Sequence, residues 1–181
     1  MADRFPELSP ELAEWWRAQP VFFVATAPVG ATGHVNCSPK GLDTLRILDP
    51  DRLAYLDLTG SGAETIAHIR ENGRITLMAC AFTGPPRISR IYGRATVHPV
   101  GSDSFAALAD GFPELPGARA QVTSRSRGPV SSISGTPYPH EVVTDSTAIS
   151  FTARAQGEAG LAAYRARKNA RSLDGLPGVD G

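Results

Sequence analysis

The sequence has little of what marks secreted, membrane-spanning or nucleic-acid-binding proteins. Its only cysteines, Cys37 and Cys80, do not form a metal-site spacing, so we expect two buried free thiols. No apolar run approaches the roughly 20 residues of a membrane span. The N-terminus lacks the basic and apolar regions of a signal peptide. The 18 basic residues balance 18 acidic ones, which disfavours a nucleic-acid partner. We therefore expect a cytoplasmic protein that binds neither membrane nor nucleic acid.

Clusters of catalytic side chains are also missing. None of the four histidines stands at the spacing of a metal site or of a catalytic triad. No pair of carboxylates suggests acid–base catalysis either. We therefore expect no metal site, and we expect a bound cofactor to carry the chemistry if the protein is an enzyme.

What the sequence does contain is a series of short strand-like segments separated by turns. Segments rich in β-branched and aromatic residues predict five strands, at 21–26, 34–41, 52–58, 74–82 and 87–97. Gly93 inside the fifth predicts a bulge or a close backbone approach. Only short helices are predicted, after Ser9, from Glu64, from Phe105 and over 157–171. A parallel α/β sheet needs a long helix after most strands, so the pattern indicates an antiparallel barrel or sandwich.

Two stretches are candidates for ligand binding. The loop 59–65 is rich in glycine and hydroxyl groups and leads into a helix, whose free N–H groups can bind a phosphate. The alternative is an ordinary capped turn. The second predicted strand is polar and is broken by Pro39 and Gly41 beside Lys40. Such a strand faces a ligand or is a solvated edge strand, because sheet edges favour proline and lysine.

Several motifs together resemble the pyridoxamine 5′-phosphate oxidase-like family, in a bacterial branch. The resemblance covers about residues 5–118 and resumes over 164–178. It is carried by Asn36-Cys37-Ser38-Pro39-Lys40-Gly41, Ala54-Tyr55-Leu56-Asp57-Leu58-Thr59-Gly60-Ser61-Gly62, Asn72-Gly73-Arg74, Gly84-Pro85-Pro86-Arg87, Lys168-Asn169-Ala170-Arg171 and Asp174-Gly175-Leu176-Pro177. Each motif alone is weak, but the combination is specific.

The resemblance implies a mainly β protein of one domain over residues 1–181, an antiparallel split β-barrel with short flanking helices. It implies a homodimer that binds flavin mononucleotide (FMN) in a cleft shared by both subunits. In the family, one strand lines the isoalloxazine ring of FMN, and the positions that do so correspond to Asn36, Ser38 and Lys40. Its phosphate- and ribityl-binding positions correspond to Asp57, Thr59, Ser61, Glu64 and Thr65. The strand that closes the cofactor site begins at Arg87 and Arg90.

This chain departs from the family pattern in three places. Ala63 stands where we expect a hydrogen-bonding residue, and the Arg- and Trp-containing substrate motifs of the oxidase proper are missing near the C-terminus. Oxidation of pyridoxamine phosphate is therefore not expected. Residues 121–156 hold twelve serines and threonines and do not resemble the family. We interpret this segment as a reading-frame shift or, if genuine, as a loop that deprives the barrel of a strand.

The function predicted from the sequence is an FMN-dependent oxidoreductase with a small-molecule substrate and, as electron donor, NAD(P)H. A non-catalytic flavin-binding or stress-related protein shares every cofactor residue. Related split barrels bind haem or deazaflavin, and a haem would need an axial ligand such as His34 or His68. A further alternative is that the atypical segment has abolished binding.

Overall fold

The computed structural model describes residues 3–126, 130–134 and 147–179. The strands in this part of the chain are β1 (Asp3–Phe5), β2 (Phe22–Thr26), β3 (Asn36–Lys40), β4 (Leu45–Asp49), β5 (Arg52–Leu58), β6 (Arg74–Cys80), β7 (Arg87–Pro99), β8 (Ala118–Ser126) and β9 (Val130–Ser134). The helices are α1 (Pro10–Arg17), α2 (Glu64–Asn72), α3 (Asp103–Ala109) and α4 (Thr147–Lys168). None of these helices is long and apolar enough to cross a membrane.

The described strands form one antiparallel sheet. Its order is β3-β2-β6-β7-β8-β5-β4, and β9 pairs with β7 and with β1. The predicted mainly β, antiparallel split-barrel class is therefore confirmed. All five predicted strands are present, and the third, at 52–58, has the predicted bounds. The short β4 was not predicted, because Pro50 and the charged residues around it obscure its alternation.

The core lies inside the curved sheet and under α1. Alternation along β2 buries Phe22 and Val24, and Leu77 of β6 packs against them. The cap of α1 is Ser9, whose hydroxyl accepts the Leu12 N–H. This helix places Trp16, 1% exposed, in the core, where its indole N–H donates to Ser89 Oγ at 3.0 Å.

Two expectations about particular residues were wrong. Cys37 is exposed, because β3 turns alternate residues outward at a sheet edge; Cys80 is partly buried. Residues 121–126 are not a loop: they belong to β8, which pairs with both β5 and β7. β9 and the start of α4 also fall within 121–156, and the rest of that segment lies outside the described residues. The reading-frame interpretation stays a prediction.

Candidate functional site

The inner face of β3 carries three polar side chains in alternation. Asn36, Ser38 and Lys40 are each partly buried, whereas Cys37 and Pro39 between them are exposed. Because side chains alternate across a strand, the three polar groups line one face. The structure thus brings together the three residues that were predicted to line the isoalloxazine ring of FMN.

Lys40 takes part in an ion triad that joins the two ends of the sheet. Its Nζ lies 2.7 Å from Asp57 Oδ1, and the Nε of Arg119 lies 2.6 Å from Asp57 Oδ2. β3 is one end of the sheet order and β5 is next to the other end. The Lys40–Asp57 contact therefore bridges the split of the barrel.

Asp57 is fully buried, yet it stays ionised. Burial by itself would raise the pKa of this carboxyl, but the charges of Lys40 and Arg119 and their hydrogen bonds hold it below its ordinary value. Beside it, burial and the Asp57 charge raise the pKa of Tyr55 well above its usual range. One carboxylate faces two cations, so the triad keeps one positive charge.

Arg119 reaches Asp57 because of a β-bulge. Asp57 pairs with Ala120 and Leu58 pairs with Ala118, which leaves Arg119 as the extra residue of β8. A bulge of this kind redirects a side chain out of the regular alternation. The Arg119 guanidinium also donates to the carbonyl of Gly62 at 2.8 Å.

A chain of hydrogen bonds connects β3 to α2. Ser38 donates to Asn36, and the Asn36 amide donates to Thr65 Oγ1 at 2.9 Å. The same amide lies 3.3 Å from Thr26 Oγ1, which bonds His68 Nδ1 at 3.0 Å. Asn36, Ser38 and Thr65, which were predicted for the flavin site, therefore form one polar cluster with Thr26, which was not predicted, and with His68, which was named only as a haem ligand.

The predicted phosphate loop has an uncapped helix start. The N-cap of α2 is Ala63, which makes no side-chain cap hydrogen bond, and the backbone at Gly60 has open space on the side where a Cβ would stand. Ser61 is exposed at the tip of the loop. The hydroxyl of Thr59, in contrast, already has partners within the protein: it donates to the Gly117 carbonyl and accepts from Arg165.

Residues 169–179, here called the C-terminal clasp, pack against one side of this loop and the start of α2. The Asn169 amide donates to the Gly60 carbonyl at 3.1 Å, and the Leu173 N–H donates to the carboxylate of Glu64. Asp174 accepts the backbone N–H of His34 and lies 2.7 Å from its ring Nδ1. Glu64 is therefore engaged in holding the clasp, which was not expected.

The two predicted arginines of β7 lie apart from this cluster. Arg87 donates to Glu11 of α1, and its guanidinium lies over the ring of Trp15. Arg90 is opposite Met78 in the register, on the face away from the core residue Ile91. The strands β2 and β6 separate β7 from β3. The structure does not bring Arg87 and Arg90 to Lys40.

Sequence reasoning missed four residues that shape the site: Thr26, Arg119, Arg165 and Asn169. The motif around Asn169 was recognised, but nothing in it indicated the loop that it binds. Arg119 stands between two alanines just before the atypical segment 121–156, and only the bulge directs it to Asp57.

The comparisons with known proteins agree on one family. The family profile described as "Pyridoxamine 5'-phosphate oxidase" matches residues 8–138. The pyridoxamine 5'-phosphate oxidase family protein ustO of Aspergillus flavus is 36% identical over 192 residues, covering 97% of this chain and 77% of that protein. This relative is fungal, so the bacterial branch stays a prediction.

Two solved structures show the same fold. A Lactobacillus delbrueckii protein provisionally described as a pyridoxamine 5'-phosphate oxidase superposes with a TM-score of 0.53 at 23% identity, over 74% of this chain and 98% of that one. HupZ of Group A Streptococcus superposes with a TM-score of 0.51 at 21% identity, over 66% of this chain and 90% of that one.

Proposed function

Because the chain belongs to the pyridoxamine 5'-phosphate oxidase family, we propose that it binds FMN and acts as a flavin-dependent oxidoreductase on a small-molecule substrate. The proposal includes a homodimer and NAD(P)H as electron donor. The observation that carries it is that hydrogen bonds connect a polar strand, a cationic triad and an uncapped helix start.

The loop 60–62 and the start of α2 suit a phosphate group. The first N–H groups of a helix have no partner within the helix, and they favour negative charge. No side chain caps them here, and Gly60 and the exposed Ser61 leave the approach open. In the proposed complex Ser61 and this backbone hold the phosphate.

The face of β3 suits the ring of the cofactor. Asn36 and Ser38 offer amide and hydroxyl groups, and Lys40 belongs to a triad with one positive charge in excess. FMN, when bound, supplies the transfer of hydride and electrons. The protein orients the ring through these side chains, and the excess charge of the triad stabilises negative charge beside Lys40.

An acidic residue in the loop tests the phosphate site. We expect Gly60→Asp to weaken FMN binding at least about tenfold, since a carboxylate there repels the phosphate, and tenfold corresponds to about 1.4 kcal/mol. Riboflavin, which lacks the phosphate, should bind both proteins equally. Quenching of flavin fluorescence measures both affinities.

Gly30→Asp is the matched control, because Gly30 also has open space at its Cβ position and lies in a different turn. It should leave FMN binding unchanged. An equal loss of FMN affinity in both variants, or a loss of riboflavin affinity as well, would argue against a phosphate at Gly60.

A protein that retains FMN but does not oxidise NAD(P)H with any acceptor would be the non-catalytic flavin-binding alternative.

One observation favours haem as a second candidate. His68 is buried, and its Nε2 has no hydrogen-bond partner among the described residues. His34, the other candidate ligand, is instead bonded to Asp174. The absorption spectrum of the purified protein separates the cofactors, since haem gives a Soret band and FMN does not.

A further inference from the structure

Residues 41–44, here called the crossing turn, connect β3 to β4. These two strands are the ends of the sheet order, so the turn carries the chain across the split of the barrel. Lys40 directly precedes the turn, and its ammonium spans the same split to reach Asp57. The conformation of the crossing turn therefore decides how the Lys40 side chain is directed.

The backbone of the crossing turn is strained. Leu42 has a φ of 62° and Asp43 a φ of 56°, and they are the only non-glycine residues with a positive φ in the part of the chain that the structure describes. In this region the Cβ of an L-residue crowds the next carbonyl oxygen, and a bulky side chain such as that of leucine rarely adopts it. Two such residues in succession persist only where their surroundings hold them.

The side chain of Arg46 binds the strained pair. Its Nη1 donates to the Asp43 carbonyl at 2.9 Å and to Asp43 Oδ1 at 2.8 Å, and its Nη2 donates to Oδ2 at 3.0 Å. Its Nε donates to the carbonyl of Gly111, and the guanidinium lies 5.2 Å from the centre of the Phe112 ring. One planar group thus holds the backbone and the carboxylate of Asp43 and joins them to the segment after α3.

The far end of the crossing turn is attached beside Asp57. The Thr44 hydroxyl donates to the Gly41 carbonyl at 2.7 Å, and the Leu56 N–H donates to the Thr44 carbonyl at 2.9 Å. Leu56 is the residue directly before Asp57. A change in the conformation of the turn would therefore move Lys40 relative to the carboxylate that it binds.

We infer that Arg46 and Asp43 are positioning residues: they hold the crossing turn in its left-handed conformation, and the turn holds the Lys40 ammonium on Asp57. The inference rests on the proposed flavin function in one respect, since it places this ammonium beside the ring of FMN. Arg46 and Asp43 act on the ring through Lys40, so their loss displaces Lys40 without removing a group that was assigned to the cofactor.

Lys40 can be observed separately because the chain has only one other lysine, the exposed Lys168. In FMN-free protein, NMR measures the rate at which each lysine's ammonium protons exchange with water. We expect Arg46→Met to accelerate exchange at Lys40 at least about threefold, equivalent to about 0.7 kcal/mol, and to leave Lys168 unchanged. The matched control is Arg52→Met, because Arg52 pairs with Asp49 at the same spacing along the chain. It should change neither rate.

A second pair of variants separates the conformation of the turn from the charge of Asp43. Asp43→Ala and Asp43→Asn both remove the carboxylate, but asparagine tolerates the left-handed region and still accepts a hydrogen bond from Arg46. Asp43→Ala should therefore accelerate exchange at Lys40, whereas Asp43→Asn should stay close to the parent. The Asp43 side chain is 76% exposed, so we expect both variants to fold.

The effect on the cofactor is measured as the ratio of the affinities for reduced and oxidised FMN. Reduced FMN carries the additional negative charge that the Lys40 ammonium stabilises, so the ratio should fall in Lys40→Met and in Arg46→Met. If Arg46 acts through Lys40, the double variant should fall no further than Lys40→Met.

Two results would overturn the inference: unchanged exchange at Lys40 in folded Arg46→Met and Asp43→Ala proteins, or equal acceleration in Asp43→Ala and Asp43→Asn. Faster exchange at Lys40 with an unchanged affinity ratio would refute its place beside the FMN ring. Because exchange is measured without FMN, a protein that binds no FMN contradicts the proposed function, and the exchange rates still decide whether Arg46 and Asp43 position Lys40.

Discussion

Asp57→Asn is expected to lower the free energy of unfolding by about 3–5 kcal/mol, the range seen when one partner of a buried ion pair is removed. The side chain of Asp57 is 0% exposed, and those of Arg119 and Lys40 are 4% and 17% exposed. The substitution leaves two buried cations without a counter-charge. Because water reaches Lys40 in part, we expect a value near the lower end. Urea unfolding measures the change.

The control is Asp51→Asn, which removes one partner of the 2.7 Å Arg125–Asp51 pair at the surface. Exposed pairs contribute about 0–1 kcal/mol, so this variant should be nearly as stable as the parent. A loss in Asp57→Asn as small as that in Asp51→Asn would mean that the triad does not hold the barrel closed.

The difference in the free energy of unfolding between the parent and Asp57→Asn should depend on pH. The pKa of Asp57 is lowered on folding, so its stabilising contribution is present above the unfolded value of about 3.9 and is lost as the pH falls through the folded value. The stability difference between the parent and Asp57→Asn should therefore narrow below about pH 4. A constant difference across this range would contradict the assignment of the charge to Asp57.

Gly93→Ala is expected to destabilise the protein by about 2–3 kcal/mol, through overpacking against a backbone that cannot move easily. A Cβ at Gly93 would lie 2.5 Å from the carbonyl oxygen of Arg125 in β8. Gly93 is paired with Ile75 of β6 on one side and with Ser126, at the end of the β7–β8 ladder, on the other, so relief of the clash would break the pairing with β8 at this end. Thermal and urea unfolding report the loss.

Gly30→Ala is the matched control, since a Cβ there meets nothing within 4 Å. We expect its free energy of unfolding to change by no more than about 0.5 kcal/mol. A Gly93→Ala protein of parental stability would show that β8 is not held against β7 at this position.

Much of the fold could be predicted because its signals are local. The apolar segment within 52–58 is recognised as a strand from its own residues, and β5 has the predicted bounds. Glycine is a local signal for the end of a helix, and Gly73, which follows α2 directly, has the left-handed φ of 70° that such an end favours. Gly93 was predicted to mark a bulge or a close backbone approach, and the nearby Arg125 carbonyl shows that it is a close approach.

The atypical segment shows the limit of composition as a signal. Its many serines and threonines indicated a loop, yet 121–126 form a strand between β5 and β7. Two neighbouring strands offer hydrogen-bond partners along both edges of β8, and this tertiary context outweighs a weak local preference.

The sequence by itself determined the five strands β2, β3, β5, β6 and β7, the polar character of β3 and the family to which the chain belongs. Only the tertiary structure decided what those polar residues contact. Lys40 meets Asp57 because the sheet curves until its ends approach, and Arg119 joins them because one extra residue in β8 redirects its side chain. The amide of Asn169 donates to the carbonyl of Gly60 from more than a hundred positions away in the sequence. The alternation of residues along a strand predicts the face on which a side chain lies. The residue that it contacts depends on the register of the strands and on the closure of the sheet, and both depend on the whole chain.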